Sequence, residues 1–392
     1  MKLEEAYRLC IEKFKQHQPH YTERDVREVV ACREGDYYAQ ELGVPLLDRY
    51  NWTSSFVTGL APLYYRTERD ATYLEWADRF REIYREKVFE HSLDTIHDIG
   101  FLYSPYSVAM YQLTGDREHR ETALRAADEL LKRFDIKGGY LEAWEKMDCE
   151  TETGRAIVDS MINIQLLLWA WKETGHRVYR DVARSHADTT LRYFVREDGS
   201  VAHSFIFDRK DGKMLEESNT CGYANGSWWA RGTAWAVYGF AMAARYLKDE
   251  NYYETALRLA RRYMDELPQG TYVPTWDFRL PKETPAITCG KVNPAFWDES
   301  KPENREYNVD SSACAVMACA LMELNAIRKD ERLMNFVKKS LETLCDTPYL
   351  NTDPSVPGIL DRQNGRMTYT TYGDFYFVQA LQTYLYGTEV CW

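Results

Sequence analysis

Two kinds of helical segment alternate along the sequence, and this alternation limits the possible fold more than any other feature. Six segments are amphipathic, with apolar residues at helical spacing on one side and charged residues on the other. Each is paired with a segment that is apolar on nearly all sides, which predicts burial on nearly all sides. The amphipathic segments are 3–17, 70–88, 117–135, 176–195, 250–266 and 330–346, and the apolar ones are 51–65, 97–114, 155–173, 230–246, 309–326 and 372–386.

Short turns such as Thr114-Gly115-Asp116 and Thr174-Gly175-His176 join each apolar segment to the next amphipathic one. Repeated helix hairpins with one buried partner predict an inner ring and an outer ring of helices. We therefore expect an all-α fold, an (α/α)6 barrel of six inner and six outer helices, and a single domain over residues 1–392. An open solenoid is the alternative, but each of its inner helices would have one face exposed to solvent, whereas these segments are apolar on nearly all sides.

The connections predict that one end of the barrel carries the function. If every outer helix returns the chain, all six inner helices point the same way and their N-termini share one mouth. The alternating run 200–207 and the turn 208–212 predict a β-hairpin there, and the proline-rich segment 267–308 predicts a long loop. Long loops gathered at one face usually carry binding or catalytic residues.

Polar residues that are unusual for buried helices lie at or near the starts of the inner helices. We expect Arg155, Asp159 and Asn163, spaced four apart, to share one face of the helix 155–173. Asp310 and Asp374, each taken singly, are interpreted as N-caps. The convergence of all these groups with six helix N-termini favours binding of an anionic ligand. The full set is Trp52, His97, Asp98, Arg155, Asp159, Arg231, Asp310 and Asp374.

Composition and motifs exclude several classes of function. The net charge is −12 and no basic stripe is present, so we expect no nucleic-acid partner. No window approaches the ~18 uninterrupted apolar residues of a membrane span. The charged first residues and nine scattered cysteines predict a cytoplasmic protein with reduced thiols. No metal-ligand spacing or nucleotide-binding motif is present, so we expect no metal and no cofactor.

The chemistry that remains is that of two carboxylates, Asp98 and Asp159, on adjacent inner helices. Two carboxylates in one pocket do not both ionise easily, so one pKa is raised and that group can act as an acid. Helix N-termini oppose this effect because they favour the anion. Most glycosidases use a pair of carboxylates as their catalytic residues. The alternative is that Asp159 is a structural residue, hydrogen-bonded to a neighbouring helix end.

Several segments resemble one known family, the unsaturated glucuronyl hydrolases of glycoside hydrolase family 88. The resemblance covers nearly the whole chain in the same order, and its independent segments make it specific. They are N-W-T (51–53), H-D-I-G-F (97–101), E-A-W (142–144), G-R-A-I-V-D-S-M-I-N (154–163), A-H-S-F-I-F-D (202–208), S-W-W-A-R-G-T-A-W-A-V-Y-G (227–239), T-W-D-F (275–278), D-S-S-A (310–313) and Y-G-D-F-Y-F (372–377).

The resemblance implies an (α/α)6-barrel enzyme that acts on unsaturated uronic-acid oligosaccharides left by polysaccharide lyases. Such an enzyme hydrates the C4=C5 vinyl ether of the terminal 4,5-unsaturated uronate, after which the hemiketal opens and the glycosidic bond breaks. By this resemblance Asp159 is the general acid and base, and Asp98 is the second essential carboxylate. The substrate-binding residues that it implies are Trp52, His97, Trp144, Asn163, His203, Arg231 and Trp235.

Three departures from the family pattern bear on substrate choice. Cys221 stands where the family commonly has Gln, and the turn at 363–366 replaces a loop that some members use for sulfated substrates. The loop 281–308, which includes Trp297, is longer than expected and is predicted to narrow or extend the site. The polysaccharide, the linkage and the oligomeric state are left open.

Three other functions compete with this reading. The related family 105, the unsaturated rhamnogalacturonyl hydrolases, shares the barrel and the hydration chemistry. A sugar epimerase or isomerase on the same barrel typically uses paired histidines rather than paired aspartates. A non-catalytic glycan-binding protein would need the aromatic residues but not both carboxylates.

Overall fold

The structure is a computed structural model, and it describes residues 1–21, 49–147, 150–280, 287–288, 291–292, 308–363 and 369–388. All twelve predicted helical segments are present in it. No helix in these ranges is long and apolar enough to span a membrane.

The six apolar segments form a closed inner ring. Each contacts the next in chain order, and the last, Thr371–Tyr386, packs against the first, Ser54–Thr58, which closes the ring. This closure explains why these helices are apolar all round, since each has a neighbour on every side. The inner helices are Ser54–Thr58 continued by Leu60–Glu68, Ile99–Tyr103 continued through a π-helical turn by Ala109–Thr114, Ser160–Thr174, Ala230–Leu247, Ser311–Ile327 and Thr371–Tyr386.

The six amphipathic segments form the outer layer. Their apolar sides pack on the inner helices and their charged sides face solvent. Gly115 and Gly175 end two inner helices in the left-handed conformation, with φ of 72° and 75°, which glycine adopts without steric cost. The outer helices are Leu3–His17, Thr72–Asp78 continued by Arg81–Phe89, Arg117–Leu131, Arg177–Tyr193, Glu250–Glu266 and Glu331–Leu344. The predicted (α/α)6 arrangement is confirmed.

Strands lie in the connections that precede the inner helices, as the topology predicts. The predicted hairpin is present as Ser204–Asp208 paired with Met214–Glu217. A third strand, Thr153–Ile157, pairs antiparallel with Ser204–Asp208. Two short strand pairs also lie in the described ranges: Phe134–Asp135 with Tyr140–Leu141, and Ile287–Thr288 with Lys291–Val292. Most of the predicted loop 281–308, including Trp297, lies outside the described residues.

The third strand corrects one prediction. Arg155 is not in the buried helix, because residues 153–157 are strand and the helix begins only at Ser160. Arg155 is paired with Ile206, a partner some 50 positions away that local periodicity does not reveal. Asp159 is therefore the N-cap residue of the helix, and Arg155 does not share a helical face with Asp159 and Asn163.

Candidate active site

The N-terminal ends of the inner helices bring the predicted polar residues to one mouth. Asp98 directly precedes Ile99–Tyr103, and Asp159 directly precedes Ser160–Thr174. Arg231 is the second residue of its helix, and Asp310 caps the next one. The exposed N–H groups of helix starts favour negative charge at this end of the barrel.

Asn163 ties the two carboxylate-bearing helices together. Its Nδ2 donates to Asp98 Oδ1 at 3.2 Å and to the carbonyl oxygen of Asp159 at 3.1 Å. Its Oδ1 accepts the backbone N–H of Phe101 at 2.7 Å. Both N–H groups and the oxygen of this fully buried amide are therefore hydrogen-bonded, and they fix Asp98 relative to the start of the Asp159 helix.

Gly100 allows the two helices to approach this closely. A Cβ atom at Gly100 would lie 2.5 Å from both the Cα and the carbonyl oxygen of Asn163. Real Cβ atoms do not make such contacts with backbone, so a side chain here would push the helices apart. The glycine of the H-D-I-G-F segment thus has a packing role directly beneath the carboxylates.

Asp159 has a pKa that suits acid–base chemistry. Burial and the neighbouring Asp98 raise its pKa to about 7, against the opposing effects of His97 and Arg231. Its Oδ2 atom is buried and makes no hydrogen bond to a described residue. A carboxyl group with this pKa exchanges a proton near neutral pH, as a general acid and base must.

His203 faces Asp159 as a neutral imidazole. Burial and the nearby Arg155 lower the pKa of His203 to about 3. Its Nδ1 accepts the backbone N–H of Thr220 at 3.1 Å, so the proton of the neutral ring is on Nε2. Nε2 lies 3.8 Å from Asp159 Oδ2, which places an N–H donor beside the carboxyl group.

His97 makes the corresponding contact with Asp98. Its Nε2 lies 3.0 Å from Asp98 Oδ1, and its Nδ1 lies 3.3 Å from the carbonyl oxygen of Ala143. The carbonyl can only accept, so Nδ1 carries a proton. The ring of His97 is therefore held between the Ala143 carbonyl and the second carboxylate.

Arg231 is a buried arginine whose positive charge lowers the pKa of Asp159, and its side chain is fixed by several contacts. Its Nη1 donates to Asp310 Oδ2 at 2.6 Å. Its guanidinium lies 4.8 Å from the ring centre of Trp229 and 5.0 Å from that of Tyr372. These contacts position a buried positive charge at the mouth without a direct salt bridge to the Asp159 carboxylate.

Of the two aspartates predicted to be N-caps, Asp310 caps its helix and Asp374 does not. Asp310 caps its helix, because its Oδ1 accepts the N–H of Ala313 at 3.2 Å, and it also pairs with Arg231. Asp374 does not cap its own helix, since Thr370 does so. Asp374 instead accepts the backbone N–H groups of residues 359 and 360 at 2.7 and 2.8 Å, and burial raises its pKa to about 8. It ties a loop to the barrel because those N–H groups need a buried acceptor.

The three predicted tryptophans occupy different environments. Trp52 and Trp144 are partly exposed, and Trp52 is stacked on Tyr372 with ring centres 5.0 Å apart. The ring of Trp144 lies 6.4 Å from the rings of both His97 and His203. Trp235 is fully buried against aromatic neighbours beneath the site, so its contact with a substrate stays a prediction.

Other contributors to the site were not singled out from the sequence. Tyr372 contacts both Trp52 and Arg231, and the backbone N–H of Thr220 fixes the tautomer of His203. Cys221, whose own N–H lies 3.4 Å from His203 Nδ1, adjoins the site through the main chain. Main-chain contacts of this kind leave no signal in residue types.

Among the described residues, no three His, Cys, Asp or Glu side chains are grouped to hold a metal ion.

A pair of largely buried carboxylates at the mouth of a closed helical barrel fits an enzyme that performs acid–base chemistry on a polar ligand. Comparison with known proteins agrees. Residues 26–270 match the model of Glycosyl Hydrolase Family 88. The chain is 33% identical over 360 residues to an unsaturated glucuronyl hydrolase of Bacillus sp. (strain GL1), covering 88% of this chain and 89% of that relative.

Solved structures show the same similarity in three dimensions. The crystal structure of the unsaturated glucuronyl hydrolase from Bacillus sp. GL1, described as responsible for the degradation of glycosaminoglycan, has a TM-score of 0.82 and 32% identity. The match covers 98% of this chain and 97% of that one. A second solved structure, of a UGL variant with dGlcA-Glc-Rha-Glc, also has a TM-score of 0.82 and 32% identity. That match again covers 98% of this chain and 97% of the other.

The chain therefore belongs to glycoside hydrolase family 88. The resemblance predicted from its sequence segments is confirmed, and the family 105, epimerase and binding-protein alternatives are not favoured.

Proposed function

We propose that this protein removes the terminal 4,5-unsaturated uronic acid from oligosaccharides produced by polysaccharide lyases. The observation that carries the proposal is Asp159: a largely buried carboxyl group with a pKa of about 7, beside Asp98 and beside the Nε2–H of a neutral His203. The relatives add the substrate class, since one is an unsaturated glucuronyl hydrolase and one solved structure holds dGlcA-Glc-Rha-Glc.

The reaction begins with Asp159 as the acid. The protonated carboxyl group gives its proton to C4 of the vinyl ether, and positive charge develops at C5 and the ring oxygen. The Asp159 carboxylate then takes a proton from a water molecule as that water adds to C5, which restores the acid. A single residue serves both steps because its pKa lies near the working pH.

The product of hydration is a hemiketal at C5, and its collapse breaks the sugar linkage. The C5–O5 bond opens to leave a ketone at C5 and a hemiacetal at C1. The hemiacetal expels the remaining sugar as an alcohol, leaving an aldehyde at C1. No bond at the anomeric carbon is attacked by the protein, so the site needs no carboxylate nucleophile.

The neighbouring groups support the two states of Asp159. Burial and, after it, Asp98 keep Asp159 protonated before the reaction, while Arg231 and the His203 N–H favour its anion once the proton has left. Catalytic hydrogen bonds often tighten when substrate binds, so the 3.8 Å separation of His203 Nε2 and Asp159 Oδ2 fits this role. Trp52 and Trp144 offer partly exposed rings for stacking against sugars.

Loss of the ultraviolet absorbance of the C4=C5 bond tests the proposal. The protein is incubated with lyase-generated unsaturated disaccharides, sulfated and unsulfated, and with one unsaturated rhamnogalacturonan product. We expect loss of absorbance on a glucuronyl substrate, no loss with Asp159→Asn, and normal loss with Asp181→Asn, whose carboxylate is on the surface. Turnover confined to the rhamnogalacturonan product, or turnover that survives Asp159→Asn, would overturn the proposal.

A further inference from the structure

Arg155 is a half-buried arginine at the mouth that forms no salt bridge within the described part of the chain. Burial lowers its pKa, and the carboxylates that act on it, Glu145 and Glu216, are not at salt-bridge distance. Three other arginines near the site are each paired: Arg196 with Glu217, Arg209 with Glu142, and Arg231 with Asp310. Arg133 has no salt bridge to a described residue either, but its Nε, Nη1 and Nη2 all donate to backbone carbonyl oxygens. A partly desolvated cation without a paired anion is costly unless a ligand supplies one.

The contacts of Arg155 hold it from one side only. Its Nη1 donates to Ser218 Oγ at 2.8 Å and to Ser204 Oγ at 3.2 Å. Its guanidinium also lies 5.1 Å from the ring centre of Trp144. No described residue accepts a hydrogen bond from Nε or Nη2, and these two N–H groups form the edge of the guanidinium that binds two oxygens of an oxyanion at once.

Arg155 and Trp144 lie outward from the carboxylates. Both side chains are partly exposed, whereas His97 and His203, whose rings are 6.4 Å from Trp144, are 1% exposed. Apart from burial, the largest influence on His203 is Arg155, whereas the arginine that acts on Asp159 is Arg231. Trp144 and Arg155 therefore lie on the outward side of the site, where a sugar attached to a uronate at Asp159 can reach them.

We propose that Arg155 binds an anionic substituent, such as a sulfate ester, on the sugar that follows the unsaturated uronate. Trp144 packs against that sugar's ring, and the Nε and Nη2 groups of Arg155 take two oxygens of the anion. This inference rests on the proposed function, because it places the uronate over Asp159. It makes Arg155 a specificity-determining residue with no part in the proton transfer.

The test compares two unsaturated disaccharides that differ only in a sulfate on the second sugar. Arg155→Gln is expected to lower kcat/KM about tenfold on the sulfated substrate, mainly through KM, since a charge-assisted hydrogen bond is lost at a partly exposed site. On the unsulfated substrate the loss should stay within about threefold. Arg155→Lys should fall between, because it keeps the charge but loses the two-pronged contact.

Arg209→Gln is the matched control. It removes one positive charge from the hairpin turn next to the same sheet, but that charge is already paired with Glu142. Its effect should be equal on both substrates. Equal losses on both substrates with Arg155→Gln, or no loss on either, would show that Arg155 only supports the sheet or Trp144, and would overturn the inference.

Binding measurements separate this inference from the proposed function. If the wild-type protein consumes neither disaccharide, the proposed function fails on these substrates. Calorimetric titration of the wild type and Arg155→Gln with the same pair then decides the role of Arg155. About tenfold weaker binding of the sulfated disaccharide alone supports the anion site, and unchanged binding refutes it.

Discussion

Replacing Asp159 by Asn is expected to stabilise the folded protein, increasingly so as the pH rises towards about 7, while it abolishes turnover. The pKa of Asp159 is raised from 3.8 to about 7 by burial and by Asp98. At about 1.4 kcal/mol for each pH unit, ionising this carboxyl group costs about 4 kcal/mol more in the folded protein than in the unfolded chain. Asn has nearly the same shape and never ionises, so it avoids this cost.

The sign and the pH range follow from proton binding in the two states. Between pH 3.8 and about 7 the unfolded chain has lost the Asp159 proton while the folded protein keeps it. The folded state therefore binds more protons, and wild-type stability falls as the pH rises through this range. The advantage of the variant should be near zero at pH 4, grow by about 1.4 kcal/mol per pH unit, and level off above pH 7 at about 4 kcal/mol.

Chemical denaturation of both proteins at several pH values between 4.5 and 8 measures this difference. Tryptophan fluorescence reports unfolding, and the free energy of unfolding is compared at each pH. Asp181→Asn, at a surface ion pair, is the control and should differ little from wild type throughout. A difference between Asp159→Asn and wild type that does not change with pH, or that changes in the opposite direction, would refute the raised pKa and with it the case for Asp159 as the acid.

Three further predictions follow from the same geometry. The rate constant kcat/KM should fall about tenfold per pH unit above pH 7, because the acid form of Asp159 starts the reaction; a rate that keeps rising to pH 9 would contradict this. Gly100→Ala should lower the thermal midpoint by the equivalent of about 1–3 kcal/mol, since its Cβ meets the backbone of Asn163, whereas Gly175→Asn, at an open left-handed turn, should change it little. Asn163→Leu should cost about 3–6 kcal/mol, because the buried N–H of Phe101 and the Asp98 carboxylate each lose a partner; a midpoint equal to wild type would show that these bonds contribute nothing.

The sequence by itself determined the architecture. The alternation of apolar and amphipathic segments at helical spacing predicted twelve helical segments in two layers, and all are present. This was possible because the pattern of apolar and charged residues along a helix indicates which of its sides are buried. Asp98 and Asp159 could be picked out for a related reason, since carboxylates at the starts of otherwise apolar helices are costly unless they are used.

Tertiary structure alone decided how these residues work. Strand 153–157 exists because it pairs with 204–208, so the position of Arg155 could not be read from its own surroundings. Asp374 shows the same limit, since its partners are N–H groups of the loop that precedes its helix and not those of the helix itself. The raised pKa of Asp159 and the fixed tautomer of His203 depend on burial and on main-chain donors, which residue types do not encode. Periodicity records which side of a helix is buried, but pairing and desolvation depend on what the rest of the fold brings next to each group.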